Sequence, residues 1–164
     1  MLMKKTLILL LLFFNFSFSN SLGLSTADIT ILKKIKTLTN DKMMKYTLMA
    51  LAIKESSIGK NQVNLVTNDY GVFQGNIKSV IRRQSVQDNS ATRKFLSEKL
   101  LNDAGFAMAN AIEEINYWRK VHNENWAKIW ASYNTGWSYN TKTGLAYSSD
   151  VFDIIKKLKY EYKL

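Results

Sequence analysis

Apolar residues recur every three or four positions along most of the chain, which predicts amphipathic helices. The first predicted helix covers residues 25–38, and Ser25 or Thr26 can cap its first turn. A second helix begins after Asn40 or Asp41 and continues to about residue 55. The inward faces of these two helices should carry Ile29, Leu32, Ile35, Leu38, Met44, Leu48, Leu51 and Ala52.

The pattern changes to polar residues and turn formers over residues 56–76, which predicts an irregular loop with a small ribbon near residues 64–67. A long helical stretch follows over residues 91–121 and should break once, with a kink possible at Gly105. Two further helices are predicted over residues 125–133 and 149–158, with a loop between them. The long stretch should bury Phe95, Leu100, Ala104, Met108, Ile112, Ile115 and Trp118.

Composition supports an all-α fold with at most a small β-ribbon. Proline and cysteine are absent, and the seven glycines are too few for a turn-rich sandwich or barrel. With 46% hydrophobic residues, the chain can bury a core without disulfides. We therefore expect one domain over residues 20–164, monomeric and stabilised by packing.

The N-terminus predicts a cleavable secretory signal over residues 1–19. Lys4 and Lys5 precede an apolar run, and Ser17 and Ser19 provide small residues before the expected cleavage at Asn20. An uncleaved anchor is the alternative, but the run is shorter than the roughly 20 residues that span a bilayer. The expected location is therefore periplasmic or secreted, with no stable membrane span after cleavage.

A formal net charge of +10 should attract polyanions such as the cell wall, acidic lipid or nucleic acid. The lysines are dispersed along the chain and do not form a basic stripe interleaved with aromatic residues. We therefore do not expect nucleic acid as the partner. A lysine-rich tail over residues 156–163 is interpreted as a solvated helix face with a secondary role in holding anionic cell wall.

Glu55 is the leading candidate for acid chemistry. A carboxyl group at the end of an apolar helix, facing a polar cleft, keeps its proton to higher pH and can protonate a glycosidic oxygen. Lysozyme is the standard example of such an environment. A single glutamate at a helix end is weak evidence, because most such side chains are simply solvated.

Three short motifs in order strengthen that interpretation: Glu55-Ser56, then Gly71-Val72-Phe73-Gln74, then Ala131-Ser132-Tyr133-Asn134-Thr135-Gly136. Glycine lets the backbone approach a ligand closely, and glutamine offers both a donor and an acceptor to a sugar. Together the motifs resemble those of soluble and type IV secretion-associated lytic transglycosylases: Glu-Ser, Gly-Leu-Met-Gln and Ala-Tyr-Asn-x-Gly. The family's late Glu-Thr-x-x-Tyr-Val motif has only a loose counterpart, without the glutamate, at residues 144–151.

This resemblance implies a lysozyme-like fold and cleavage of the peptidoglycan bond between N-acetylmuramic acid and N-acetylglucosamine, giving 1,6-anhydro ends. By motif position, Glu55 would be the acid and then the base, and Gln74 would contact sugar. Tyr133 and Asn134 would orient acid and substrate, and Ser56 would be an accessory group beside the substrate. The same resemblance suggests a cell-envelope secretion or conjugation machine as a partner.

Asp69 leaves the reaction type open. The segment Asp69 to Gln74 is also similar to the Asp-Tyr-Gly-Ile-Leu-Gln segment of animal-type lysozymes, in which the aspartate is the second carboxylate. A retaining hydrolase needs two carboxyl groups, whereas a transglycosylase works with one because the sugar's own hydroxyl attacks. Asp69 could also be a turn residue. The one-acid mechanism is favoured, and the alternatives are a hydrolytic muramidase or a non-catalytic cell-wall-binding or secretion accessory protein.

The remaining candidates receive structural interpretations. His122, the one histidine, is expected at the surface or as a cap, and neither a metal nor another cofactor is expected. The Glu113-Glu114 pair is expected on a solvated helix face. Tryptophans 118, 126 and 130 are expected in the core, whereas Trp137, Tyr139 and Tyr147 are placed in a loop, stacking on sugars or anchoring the loop.

Overall fold

The computed structural model describes residues 21–164, so the predicted signal peptide over residues 1–19 lies outside the described residues. Seven α-helices, a short 3-10 helix over Gly136–Ser138 and a small antiparallel sheet make up this part of the chain. The helices are α1 Thr26–Lys36, α2 Lys42–Ser56, α3 Ile77–Gln84, α4 Ser90–Asn102, α5 Ala104–Val121, α6 Trp126–Thr135 and α7 Lys142–Tyr160. The strands are β1 Val63–Asn64, β2 Asp69–Tyr70 and β3 Gly75–Asn76. The prediction of an all-α fold with a small ribbon is confirmed.

Helix α2 lies at the centre of the helical core. Its six consecutive residues 47–52 are buried, so the helix is covered on every side rather than along one stripe. It packs against α1, α5 and α7, and α7 in turn packs against α6. The catalytic candidate Glu55 therefore sits at the end of the most deeply buried helix.

Side-chain caps set the starts of the first two helices. Ser25 and Asp28 form a capping box at α1, in which each side chain accepts a hydrogen bond from the other residue's backbone N–H. Asp41 accepts from the N–H groups of Met43 and Met44 at the start of α2. The predicted caps at Ser25 and Asp41 are therefore confirmed.

The polar segment after α2 folds into the three-stranded ribbon, with β2 in the middle. Asn64 pairs with Asp69, and Asp69 pairs with Asn76 on the other side. Helix α3 begins directly after β3, capped by the Asn76 side chain. Helix α3 was not predicted from the sequence, although Ile77, Val80 and Ile81 are buried at the spacing of an amphipathic helix.

The long predicted helix does break once, but at Asp103 rather than at Gly105. The backbone of Asp103 is extended, and its side chain accepts from the N–H of Phe106 to cap α5. The inner-face prediction is wrong for Leu38, which follows α1 and is 47% exposed. Two inner-face predictions in the long stretch are also wrong, because Phe95 is 61% exposed and Ala104 is exposed as well. In the same stretch, the predicted burial of Leu100, Ile115 and Trp118 is confirmed.

Helix α7 begins seven residues before the predicted start at residue 149. Gly144 permits this, because a Cβ there would lie 2.6 Å from the Tyr139 carbonyl oxygen. Gly144 thus allows the start of α7 to pack closely against the backbone of Tyr139 and does not form a loop. As a consequence, Tyr147 lies on a helix and not in the predicted loop. Within residues 21–164, no helix combines the length and the apolar character needed to cross a bilayer.

Candidate active site

A cleft of about 800 Å³ lies beside the end of α2 and is bordered by the ribbon, α3, α5 and α6. Its lining includes most of the residues that the sequence motifs single out, which are Glu55, Asp69, Gln74, Tyr133 and Asn134. The three motifs are far apart in the chain, and the fold brings them to one cavity. Such a cleft with convergent polar groups is the usual form of a ligand site.

Glu55 is half-buried at the C-terminal end of α2, and it accepts a hydrogen bond from the Tyr147 hydroxyl through Oε1. Burial raises the pKa of Glu55, since the anion loses hydration, and the negative charge of Asp69 raises it further. The Tyr147 hydrogen bond and the charge of Lys54 lower the same pKa by stabilising the carboxylate. The net shift is upward, so Glu55 keeps its proton to higher pH than an ordinary glutamate.

The contact between Tyr147 and Glu55 was not predicted from the sequence. The Tyr147 side chain was expected in a loop, but it is 6% exposed on α7 and packs into the core. Burial, followed by the charge of Glu55, raises the pKa of Tyr147 well above its usual value. The phenol therefore remains protonated and acts as a hydrogen-bond donor to the carboxyl group.

Removal of this donor should change the pH dependence of any reaction that uses Glu55 as an acid. Tyr147→Phe removes a contact that lowers the pKa of Glu55, so the alkaline limb of the kcat/KM profile should move to higher pH. Asp69→Asn removes a repulsion that raises that pKa, so the limb should move to lower pH. Shifts of the same sign in both variants, measured over a pH series, would contradict this assignment.

The segment Gly71 to Gln74 is held in place by hydrogen bonds from two helices. Ser56 Oγ donates to the Val72 carbonyl at 2.7 Å, and the Tyr133 hydroxyl donates to the Phe73 carbonyl at 2.8 Å. Gly71 has a positive φ of +83° and lies against the α4 backbone at Leu100. The segment is therefore held rigidly between α2, α4 and α6.

This arrangement corrects the role predicted for Ser56. Its side chain is 1% exposed, donates to Val72 and accepts from the N–H of Gly59 at 2.8 Å. Ser56 is not part of the cleft lining. It joins the end of α2 to the following loop and thereby fixes the position of the neighbouring Glu55.

Gln74, from the second motif, and Asn134, from the third, both line the cleft. The amide nitrogen of Gln74 donates to the Gly71 carbonyl at 3.0 Å, which holds the side chain against its own loop. Asn134 is exposed near the end of α6. Both positions are accessible to a ligand in the cleft.

Asp69 lies on the middle strand of the ribbon, and hydrogen bonds engage both of its carboxylate oxygens. Thr67 Oγ1 donates to Oδ2 at 2.5 Å, and Asn76 Nδ2 donates to Oδ1 at 2.8 Å. Asp69 also lines the cleft with Glu55. The side chain thus stabilises the ribbon and places a negative charge near the catalytic candidate.

The opposite wall contains a network that the sequence analysis did not predict. Glu114 pairs with Arg83, and it accepts from the indole N–H of Trp118 at 2.7 Å. Arg83 also donates to Asn110 at 3.2 Å. The prediction of a solvated face is therefore wrong for Glu114, because the helix turns it toward α3 and the cleft.

Aromatic side chains form one end of the cleft. Trp118 is 4% exposed, as predicted for a core residue, and Trp137 packs edge-on against it with ring centroids 5.2 Å apart. Trp137 itself is 67% exposed and lines the cleft. His122 caps α5, stacks on Trp118, and lies with Nε2 2.8 Å from Ser132 Oγ.

No group of three or more histidine, cysteine, aspartate or glutamate side chains suited to a metal ion occurs among the described residues. The chemistry available from the cleft side chains is that of one protonated carboxyl group in a polar, partly aromatic groove. This combination suits acid-catalysed cleavage of a carbohydrate.

Comparison with known proteins gives a family match. Residues 34–152 match the family model described as "Transglycosylase SLT domain". A curated relative is an uncharacterized 20.7 kDa protein of the vs-regB intergenic region of Enterobacteria phage T4, 29% identical over 115 residues. The match covers 70% of this chain and 62% of the phage protein. No solved structure matches the chain.

Proposed function

Because the chain belongs to the transglycosylase SLT domain family, we propose that it cleaves the glycan of peptidoglycan as a lytic transglycosylase. The observation that carries the proposal is the Glu55 carboxyl group. It lies in the cleft, and burial raises its pKa. Export to the periplasm or the medium, predicted from residues 1–19, would bring the enzyme to this substrate.

The reaction begins with proton transfer from Glu55. The Tyr147 hydroxyl donates a hydrogen bond to Oε1 of Glu55, so the carboxyl proton is carried by Oε2. That proton passes to the glycosidic oxygen while the bond from this oxygen to C1 of N-acetylmuramic acid breaks. Positive charge develops at C1, and the newly formed Glu55 carboxylate stabilises it.

The second step uses the same carboxylate as a base. Glu55 takes the proton from the C6 hydroxyl of the muramic residue, and the C6 oxygen forms a bond to C1. The product is a 1,6-anhydro end, no water is consumed, and Glu55 is again protonated. One carboxyl group therefore suffices for the whole cycle.

The environment of Asp69 favours this one-acid mechanism over hydrolysis. Both oxygens of Asp69 accept hydrogen bonds within the ribbon, from Thr67 and Asn76, which makes the carboxylate a poorer nucleophile. In the proposal Asp69 acts through its charge, since repulsion helps Glu55 to keep its proton.

Solubilisation of purified sacculi by an Asp69→Asn variant tests this choice. Asparagine keeps an oxygen for the hydrogen bond from Asn76, so the ribbon should remain folded. A one-acid enzyme should retain activity within about tenfold of the original at its own optimal pH, whereas loss of a nucleophile should cost about 1,000-fold or more. The larger loss would favour the hydrolytic muramidase. Binding to sacculi without cleavage by the unaltered protein would favour the accessory-protein alternative.

Trp137 should contribute to substrate affinity. Its exposed ring at the aromatic end of the cleft can stack on an apolar sugar face, a contact of about 1 kcal/mol. Trp137→Ala should therefore raise KM about fivefold with little change in kcat. Phe95→Ala is the matched control, because Phe95 is similarly exposed but lies outside this cleft. Equal effects of the two substitutions on KM would contradict the assignment.

A further inference from the structure

Lysine side chains gather at the end of the molecule that is farthest along α2 from Glu55. The last turn of α1, the first turn of α2 and the last turn of α7 meet there. We call this surface the basic pole and define it by Lys33, Lys34, Lys36, Lys42, Lys45, Lys159 and Lys163.

Contacts between the three helices establish that these lysines share one end. Residues 37–41 are the short connection from α1 to α2. The Tyr46 hydroxyl donates to the Leu164 carbonyl, and the Lys159 ammonium lies 4.6 Å from the centroid of the Tyr46 ring. The end of α7 is therefore packed against the start of α2.

Nearby carboxylates do not neutralise the basic pole. Asp41 pairs with Arg119, and Asp153 pairs with Lys156. Within residues 21–164, no ion pair joins a pole lysine to a carboxylate, and Glu161 is the exposed acid on the adjoining end of α7. The pole thus presents several positive charges to solvent.

The cleft does not share this positive character. Its lining contains the carboxyl groups Glu55, Asp69, Glu113 and Glu114 but only two arginines, Arg82 and Arg83. Lys42 and Glu55 are at opposite ends of α2, about 20 Å apart at the rise of an α-helix. A ligand on the pole would leave the cleft open.

Exposed apolar side chains lie among the pole lysines. Leu38, in the connection after α1, is 47% exposed, and Tyr160, at the end of α7, is 77% exposed. Lysines alone would suit any polyanion, but apolar and aromatic groups beside them suit a lipid interface. There the amines contact phosphate headgroups, and Leu38 and Tyr160 can enter the headgroup region.

We propose that the basic pole binds the surface of an anionic phospholipid membrane. Bound in this way, the protein lies on the bilayer without crossing it, and the cleft is about 20 Å along α2 from the contact. The membrane then confines cleavage to glycan strands close to its surface.

Sedimentation with vesicles tests the proposal directly. The protein beginning at Asn20, which contains every described helix and strand, is mixed with phosphatidylcholine vesicles containing about 30% phosphatidylglycerol. The triple variant Lys34→Gln, Lys42→Gln and Lys163→Gln should bind roughly 100-fold more weakly. A matched triple variant, Lys78→Gln, Lys94→Gln and Lys142→Gln, has the same net charge and should change binding by less than about threefold. Equal losses in both variants, or no binding by the unaltered protein, would overturn the proposal.

A second variant separates lipid from soluble polyanions. Leu38→Ser with Tyr160→Ser should weaken vesicle binding about tenfold and leave retention of inorganic polyphosphate unchanged. If the double variant bound vesicles as well as the original did, the pole would be a general polyanion site, and the lipid assignment would be wrong.

Discussion

Replacement of Glu55 with glutamine should slow the release of soluble fragments from purified sacculi by at least about 1,000-fold. Glutamine has nearly the same shape and still accepts a hydrogen bond from Tyr147, but it cannot donate an acidic proton to the glycosidic oxygen or act as a base afterwards. Both chemical steps are therefore lost in one substitution, whereas the fold should persist.

Glu113→Gln provides the matched control for this experiment. Glu113 also lines the cleft, and its side chain is 58% exposed, so its loss should change the rate by less than about threefold. Thermal unfolding of both variants checks that the fold is retained. Lysis by the Glu55→Gln protein at the original rate would exclude Glu55 as the acid.

Gly71→Ala should cause the largest loss of stability among the single substitutions considered. The alanine Cβ would lie 2.4 Å from the Leu100 carbonyl oxygen, at a φ of +83° that disfavours any side chain. Since this neighbour is backbone, relief requires α4 and the ribbon to move apart. We expect the free energy of unfolding to fall by at least about 3 kcal/mol, measured by urea denaturation.

Gly59→Ala is the control that separates the two causes of the loss at Gly71, the steric collision with α4 and the backbone strain. Gly59 has the same φ of +83°, but a Cβ there would meet its nearest atom at 3.4 Å, an ordinary contact. Gly59→Ala should therefore lower the free energy of unfolding by only about 1–2 kcal/mol. If the two variants were equally stable, close packing of Gly71 against α4 would not matter to the fold.

The sequence predicted the fold best where local chemistry determines it. Ser25 and Asp41 cap helices through their own side chains, and the apolar spacing of α2 correctly places Met44, Leu48, Leu51 and Ala52 in the core. Prediction failed where tertiary packing decides, as at Gly144, whose glycine suggested a loop but permits α7 to pass close to Tyr139. The short helix α3 was likewise not predicted, because it follows a segment rich in turn-forming residues that ends just before residue 77.

The candidate site was predictable in its motif residues but not in their partners. Glu55, Gln74 and Asn134 belong to recognisable motifs and do line one cleft. Tyr147 is 92 residues from Glu55 in the chain, so no local spacing connects the two. Ser56 was assigned beside the substrate because it follows Glu55, yet the helix turns its side chain into the protein.

The masses of the muropeptides released from purified sacculi test the central proposal most directly. The digest uses the protein beginning at Asn20, with the Glu55→Gln variant as its blank. The one-acid mechanism predicts fragments with 1,6-anhydro ends, each lighter by one water than the corresponding hydrolysis product and absent from the blank. Fragments with reducing ends, released by the unaltered protein and missing from the blank, would contradict the transglycosylase mechanism and make Asp69 the second catalytic carboxylate.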